Sequence, residues 1–255
     1  MANFGIIADI ALYYEIGIFL LYNYFLRLVY LRRKEKPTHL TNLLFKVFIG
    51  YDFAIIFSIV SKLFNVIWGG VPYQIVPENS LWIVGRLHSG RFGFVGATIG
   101  TIYSYELYLS IFKKQVNQRK RKIMLAVGIG TIIFLVFGYQ FDIDTNSAVQ
   151  IYELIAFILM FLFMVLVYIP FMKSAFYLAR RIGEEQSHYS GGIKSLGHMA
   201  SSFIGIFFSL VLDRVMLIAF NWAYSAFYFL SWVFAITGIY AAYAGYIKPS
   251  MRKED

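Results

Sequence analysis

The chain of 255 residues is 59% hydrophobic and 20% aromatic but only 15% charged, whereas a soluble domain is about 25% charged and about half apolar. That balance excludes an ordinary soluble protein, and apolar runs along the whole length leave no room for a separate soluble domain. The lack of cysteine excludes disulfides, thiolate metal sites and thiol chemistry. The formal charge of +9 lies in short blocks between apolar runs, so it reads as a topology signal and not as nucleic-acid binding.

The first residues, MANFGIIADIALYYE, lack the basic region and small-residue cleavage site of a secretory signal, so this segment is expected to remain attached. A helix rising about 1.5 Å per residue needs roughly 20 residues to cross a 30 Å hydrocarbon core. On that ruler the chain holds spans at 9–31, 41–68, 90–112, 123–141, 149–172, 197–220 and 224–247. The expected class is an all-α integral membrane protein, a seven-transmembrane-helix bundle forming one domain over 1–255.

Basic residues concentrate in alternate connections. Arg32, Arg33, Lys34 and Lys36 follow the first span, and KKQVNQRKRK follows the third. Lys173, Arg180, Arg181 and Lys194 follow the fifth, and Lys248, Arg252 and Lys253 the seventh, whereas the opposite connections hold only Arg86 and Arg91. The positive-inside bias puts the C-terminus in the cytoplasm and the N-terminus outside, with the cell membrane as the expected location.

The first span contains YYEIGIFLLYNYF at 13–25 and the fifth contains IYELIAFILMFLF at 151–163. Tyr14, Glu15, Phe19, Leu21 and Phe25 thereby match Tyr152, Glu153, Phe157, Leu159 and Phe163, and Val29 and Tyr30 match Val167 and Tyr168 at the same offset. Ala97, Gly100, Tyr105 and Tyr108 of the third span match Ala235, Gly238, Tyr243 and Tyr246 of the seventh, again at that offset. In the second and sixth, Phe48-Ile49-Gly50 meets Phe203-Ile204-Gly205 at a longer one. The pattern reads as a 3+1+3 parallel repeat, 9–112 and 149–247, joined by a linker helix at 123–141. In topology this plan resembles the sugar transporters of the PQ-loop class, but no Pro-Gln pair is present. It also resembles microbial rhodopsins in length, helix number and orientation, but the seventh span has no lysine for a retinal Schiff base. Neither resemblance transfers a functional residue.

Charge at bilayer depth costs several kcal/mol unless paired or wetted, so such residues are candidates for function. Glu15, Lys62, Glu153, Asp213 and Arg214 count to the outer third, Asp52 to the midplane and Glu106 to the inner third. One reading is a hydrated pocket open to the outside, lined by the outer five with Tyr14 and Tyr152 as walls and receiving a small-molecule ligand. The other is a set of structural ion pairs, Glu15 with Lys62 and Asp213 with Arg214 or a neighbour. Asp52 and Glu106 stand either on a proton or ion path or as acceptors for tyrosine hydroxyls such as Tyr51 and Tyr103.

Gly93, Gly96 and Gly100 put small residues on nearby faces of the third span, so that span is expected to run through the centre of the bundle. The histidines show no metal or haem spacing, and no hydrolase pattern stands out, so no enzyme activity, metal or cofactor is implied. The cytoplasmic basic blocks fit acidic lipid headgroups or an acidic protein face. Gly191-Gly192 marks the connection after the fifth span as a flexible loop. The outer connection GGVPYQIVPENSLWIVGRLHSGR is expected to lie on the membrane surface or to fold over the bundle as a lid. The expectation is a receptor-like protein, with a small-solute or proton-coupled transporter and an accessory subunit of a membrane complex as alternatives.

Overall fold

A computed structural model describes the backbone of residues 2–68, 87, 91–113, 115–137, 146–182, 187–220, 222 and 224–244. Within the helices it describes side chains other than those of residues 2–6, 8, 65, 146–153 and 187–189. The expected lid lies outside the described residues, and so do the side chains of Tyr152 and Glu153. The described chain forms seven α-helices: α1 Ala2–Glu35, α2 His39–Trp68, α3 Arg91–Phe112, α4 Gln118–Phe137, α5 Asn146–Ile182, α6 Ser187–Phe220 and α7 Ala226–Ala242.

Three of them contain stretches long and apolar enough to cross a membrane, His39–Phe64, Leu154–Ile182 and Ser190–Phe220, and α7 is apolar over 17 residues. The side-chain distribution agrees. Large apolar groups such as Leu20, Leu166, Ile133 and Phe208 point away from the bundle and are more than half exposed, a pattern that suits lipid and not water.

Local chemistry explains where helices start and stop. Pro37 lacks an amide hydrogen and disfavours helix in the residue before it, so α1 closes at Glu35, with Arg32, Arg33 and Lys34 complementing its dipole. Thr38 and Thr41 then cap α2 reciprocally: Thr41 N donates to Thr38 Oγ1 at 3.1 Å and Thr38 N donates to Thr41 Oγ1 at 3.0 Å. Asn117 Oδ1 accepts from Lys120 N at 3.1 Å and opens α4 in the same way.

The connection after α5 departs from the sequence reading. Residues 173–182 continue α5 and residues 187–196 already belong to α6, so Gly191 and Gly192 are helical and not part of a flexible loop. Packing overrides the glycines. Ala175 and Ala179 of α5 and Leu196 of α6 are buried, and Ser190 Oγ donates across the pair to the Ala179 carbonyl at 2.8 Å.

Helix neighbours follow a closed order. Next to α1 is α2, then α3, α5, α6 and α7, and α7 packs back on α1. Only α4 stands outside this ring, against α3 and α5, where it buries Gly128, Thr131 and Leu135. The ring interior is aromatic and aliphatic: Phe48, Phe163, Met164, Tyr168, Phe171, Met199 and Phe203 are almost fully buried. α3 is a member of the ring and, like α5, touches three helices, so its glycines mark a close contact with α2 and not a place at the centre of the bundle. A Cβ on Gly50 would lie 2.5 Å from Gly100 N and 2.9 Å from the Gly96 carbonyl, and one on Gly96 would lie 2.8 Å from both Ala54 N and the Gly50 carbonyl. The backbones of α2 and α3 thus meet directly, which only glycine permits.

Gly50→Ala is expected to cost about 1–3 kcal/mol by overpacking this seam. Gly130→Ala, where an added Cβ meets nothing within 4 Å, is expected to be neutral or stabilising. Unfolding in mixed micelles measures both, and equal effects at the two positions would contradict the close approach.

Candidate functional site

One end of the bundle gathers charged side chains from separate helices around Glu15. On α1, Ala11, Ile18 and Tyr22 face the core together with Glu15, a helical stripe that carries the carboxylate inward with the apolar face. Glu15 is 0% exposed and Lys62 on α2 is 5% exposed. Lys62 Nζ donates to Glu15 Oε1 at 2.7 Å and to Ser58 Oγ at 3.0 Å, and Ser58 Oγ donates to the same carboxylate oxygen at 2.8 Å. Ser58 and Lys62 are four residues apart on α2 and therefore share a face. From α7, Tyr228 OH donates to Glu15 Oε1 at 2.5 Å. Three donors thus converge on one oxygen, while Glu15 Oε2 has no hydrogen-bond partner among the described residues.

Aromatic rings complete the surroundings. Lys62 Nζ lies 4.8 Å from the centroid of the Tyr228 ring and 5.7 Å from that of Tyr224, within the range of cation–π attraction. Trp232 packs edge-on to Tyr228. Tyr14 sits beside Glu15 in sequence but turns to Phe229, with ring centroids 5.3 Å apart and the hydroxyl 3.5 Å from the Phe229 carbonyl.

Asp213 of α6 is buried. Its Oδ1 accepts from Ser225 N and Ser225 Oγ, both at 2.7 Å. Ser225 is the N-cap of α7, so Asp213 supplies the carboxylate that favours the positive end of that helix. The Arg214 guanidinium lies over the Phe157 ring of α5 at 5.0 Å.

Of the outer residues singled out from sequence, the structure therefore joins Glu15 and Lys62 directly and sets Asp213 near them through Ser225, the neighbour of Tyr224, while Arg214 packs on Phe157. Tyr14 lies at the edge, and the side chains of Tyr152 and Glu153 fall outside the description. Ser58, Tyr228 and Ser225 went unseen in the sequence. Only the Ser58–Lys62 spacing carried a signal, because a small hydroxyl one turn from a buried lysine is a ready partner.

Asp52 and Glu106 do not accept from tyrosines among the described contacts. Asp52 Oδ1 takes a hydrogen bond from Asn23 Nδ2 at 3.0 Å. Glu106 Oε1 pairs with Arg121 Nε at 2.8 Å across α3 and α4, and that carboxylate raises the Arg121 guanidinium above its ordinary value, so it stays charged at every accessible pH. The tyrosine hydroxyls find each other instead. Tyr168 OH lies 2.8 Å from Tyr51 OH and 2.8 Å from Ser104 Oγ, joining α2, α3 and α5 deep in the core, with Phe203 of α6 stacked on Tyr51 at 4.3 Å.

Comparison with protein-family models, with curated proteins and with solved structures finds no match for this chain.

Removing one partner of a buried pair leaves an uncompensated charge, whereas removing both does not. Glu15→Gln or Lys62→Met alone is expected to cost about 3–5 kcal/mol, and the double variant much less than the sum. A double-mutant cycle on unfolding in micelles measures the coupling, and additive losses would contradict the pairing.

Proposed function

We propose that this protein is a seven-span, receptor-like membrane protein of the cell surface, with α1 starting outside and the basic ends of the helices in the cytoplasm. In this reading the Glu15 cluster lies in the outer part of the bundle and responds to a small polar ligand. The paired ends of α5 and α6 carry the response inward. The observation that carries the reading is the continuity of these two helices. With 37 and 34 residues, they run about 50 Å or more at about 1.5 Å per residue, well beyond a 30 Å core. Residues 183–186 join them, and α5 passes through Pro170 without ending. Transporters with alternating access usually hold substrate at broken helices, and no described span is interrupted.

A second reading, a small-solute or proton-coupled transporter, draws on the order of the ring. Exchanging α1, α2 and α3 with α5, α6 and α7 maps every ring neighbour onto another. The matched glycines also fall at matched interfaces: Gly50 and Gly100 between α2 and α3, and Gly205 and Gly238 between α6 and α7. A parallel repeat of this kind encloses a path between its halves in some transporters.

One measurement tests the topology that both readings share, and a second separates them. Because the chain has no cysteine, single cysteines report topology cleanly: Lys36→Cys and Lys194→Cys are expected to resist an impermeant maleimide in intact cells, and Asn79→Cys to react. In proteoliposomes, receptor-like function gives no proton or solute flux above empty vesicles under an imposed gradient. Flux abolished by Glu15→Gln/Lys62→Met would establish the transporter instead.

A further inference from the structure

The surroundings of the Lys62 ammonium have the composition of a site for an organic cation. A primary ammonium has three N–H donors. Here the Glu15 carboxylate and the Ser58 hydroxyl take two of them at 2.7 and 3.0 Å, and the faces of Tyr228 and Tyr224 serve the positive charge. A carboxylate beside aromatic faces is how proteins recognise amines of low molecular weight. Yet this carboxylate is only half used. Oε1 accepts from Lys62, Ser58 and Tyr228, while Oε2, on a side chain with 0% exposure, accepts from none of the described groups. A buried carboxylate oxygen without a donor costs free energy, and a ligand that brings an N–H recovers it.

We propose that Glu15 Oε2 anchors a binding site for a small organic ammonium, walled by Tyr224 and Tyr228, and that the arriving cation displaces Lys62 towards Asp213. The inference rests on the receptor-like reading and names its ligand class. The two ends of the lysine's move are both present: Lys62 Nζ lies 5.7 Å from the ring of Tyr224, and the next residue, Ser225, holds Asp213 Oδ1. Lys62 is a point charge on a flexible stem of four carbons, able to change partner without moving α2. In the structure it links α2 to α1, and after displacement it would link α2 to α6, the helix paired with α5. The choice of carboxylate thereby couples ligand to the cytoplasmic hairpin. A ligand shifts such a balance only by its preference for one state, and here that preference is direct, because ligand and Lys62 compete for one carboxylate.

The test uses full-length protein in lipid nanodiscs, with benzylammonium as probe and benzyl alcohol as its neutral counterpart, read by thermal unfolding and by isothermal titration. Benzylammonium is expected to raise the midpoint of the wild type, and benzyl alcohol is not. Lys62→Met removes the internal competitor and should tighten binding on the order of tenfold or more. The charge-neutral Glu15→Gln/Lys62→Met variant, which keeps the fold without the pair, should not bind. Asp213→Asn should weaken binding in the wild type but leave it unchanged in the Lys62→Met background. Absence of binding by Lys62→Met, or equal binding by Glu15→Gln/Lys62→Met, overturns the site. Equal effects of Asp213→Asn in both backgrounds overturn the displacement of Lys62. Benzylammonium flux into proteoliposomes would remove the receptor-like reading and leave the site standing, so the two failures are distinguishable.

Discussion

A lysine and a glutamate buried together in an apolar bundle are the constraint on which the arrangement of this end of the protein depends. Glu15 is fully buried and Lys62 almost so, and each would be strongly destabilising alone. The pair is tolerated because Ser58 and Tyr228 supply hydrogen bonds and because tyrosine rings face the ammonium. Those partners come from α2 and α7, so satisfying one charge on α1 fixes the positions of its two ring neighbours. Asp213 extends the same logic by holding the start of α7 through Ser225.

Deeper in the core the polar chemistry changes character. Between α2, α3 and α5 the groups are neutral hydroxyls, Tyr51, Tyr168 and Ser104, which satisfy one another without a charge. Neutral hydroxyls cost less to bury than ions, and they specify a helix register while leaving the centre uncharged. Two further carboxylates, Asp52 and Glu106, are answered individually by Asn23 and Arg121. Among the described residues the buried charged side chains, Glu15, Lys62, Arg91 and Asp213, thus stand towards one end of the ring, and hydroxyls hold its middle.

Much of this was legible in the residues. Apolar run length located the helices, the glycines of α3 marked the tight seam, and the depth of Glu15 and Lys62 named the pair that forms. What escaped were features set by three-dimensional neighbours. Tyr228 is one of many tyrosines, and nothing in its surroundings distinguishes a ring that reaches Glu15 from one that faces lipid. The stretch SHYSGG at 187–192 reads as loop because its composition is polar and flexible, yet Ala175, Ala179 and Leu196 on the two helices are buried, and helix packing decided the outcome. Tyrosine partners expected for Asp52 and Glu106 failed for a similar reason. Asn23 on the adjoining α1 and Arg121 in the first turn of α4 meet these carboxylates instead.

The glycine seam between α2 and α3 bears on how a disturbance at Lys62 would spread. With main chains in direct contact, there is no cushion of side chains to absorb a small tilt, and the two helices behave as a single beam. Whatever angle α2 adopts, α3 inherits, and through α3 so do α4 and α5, which pack on it.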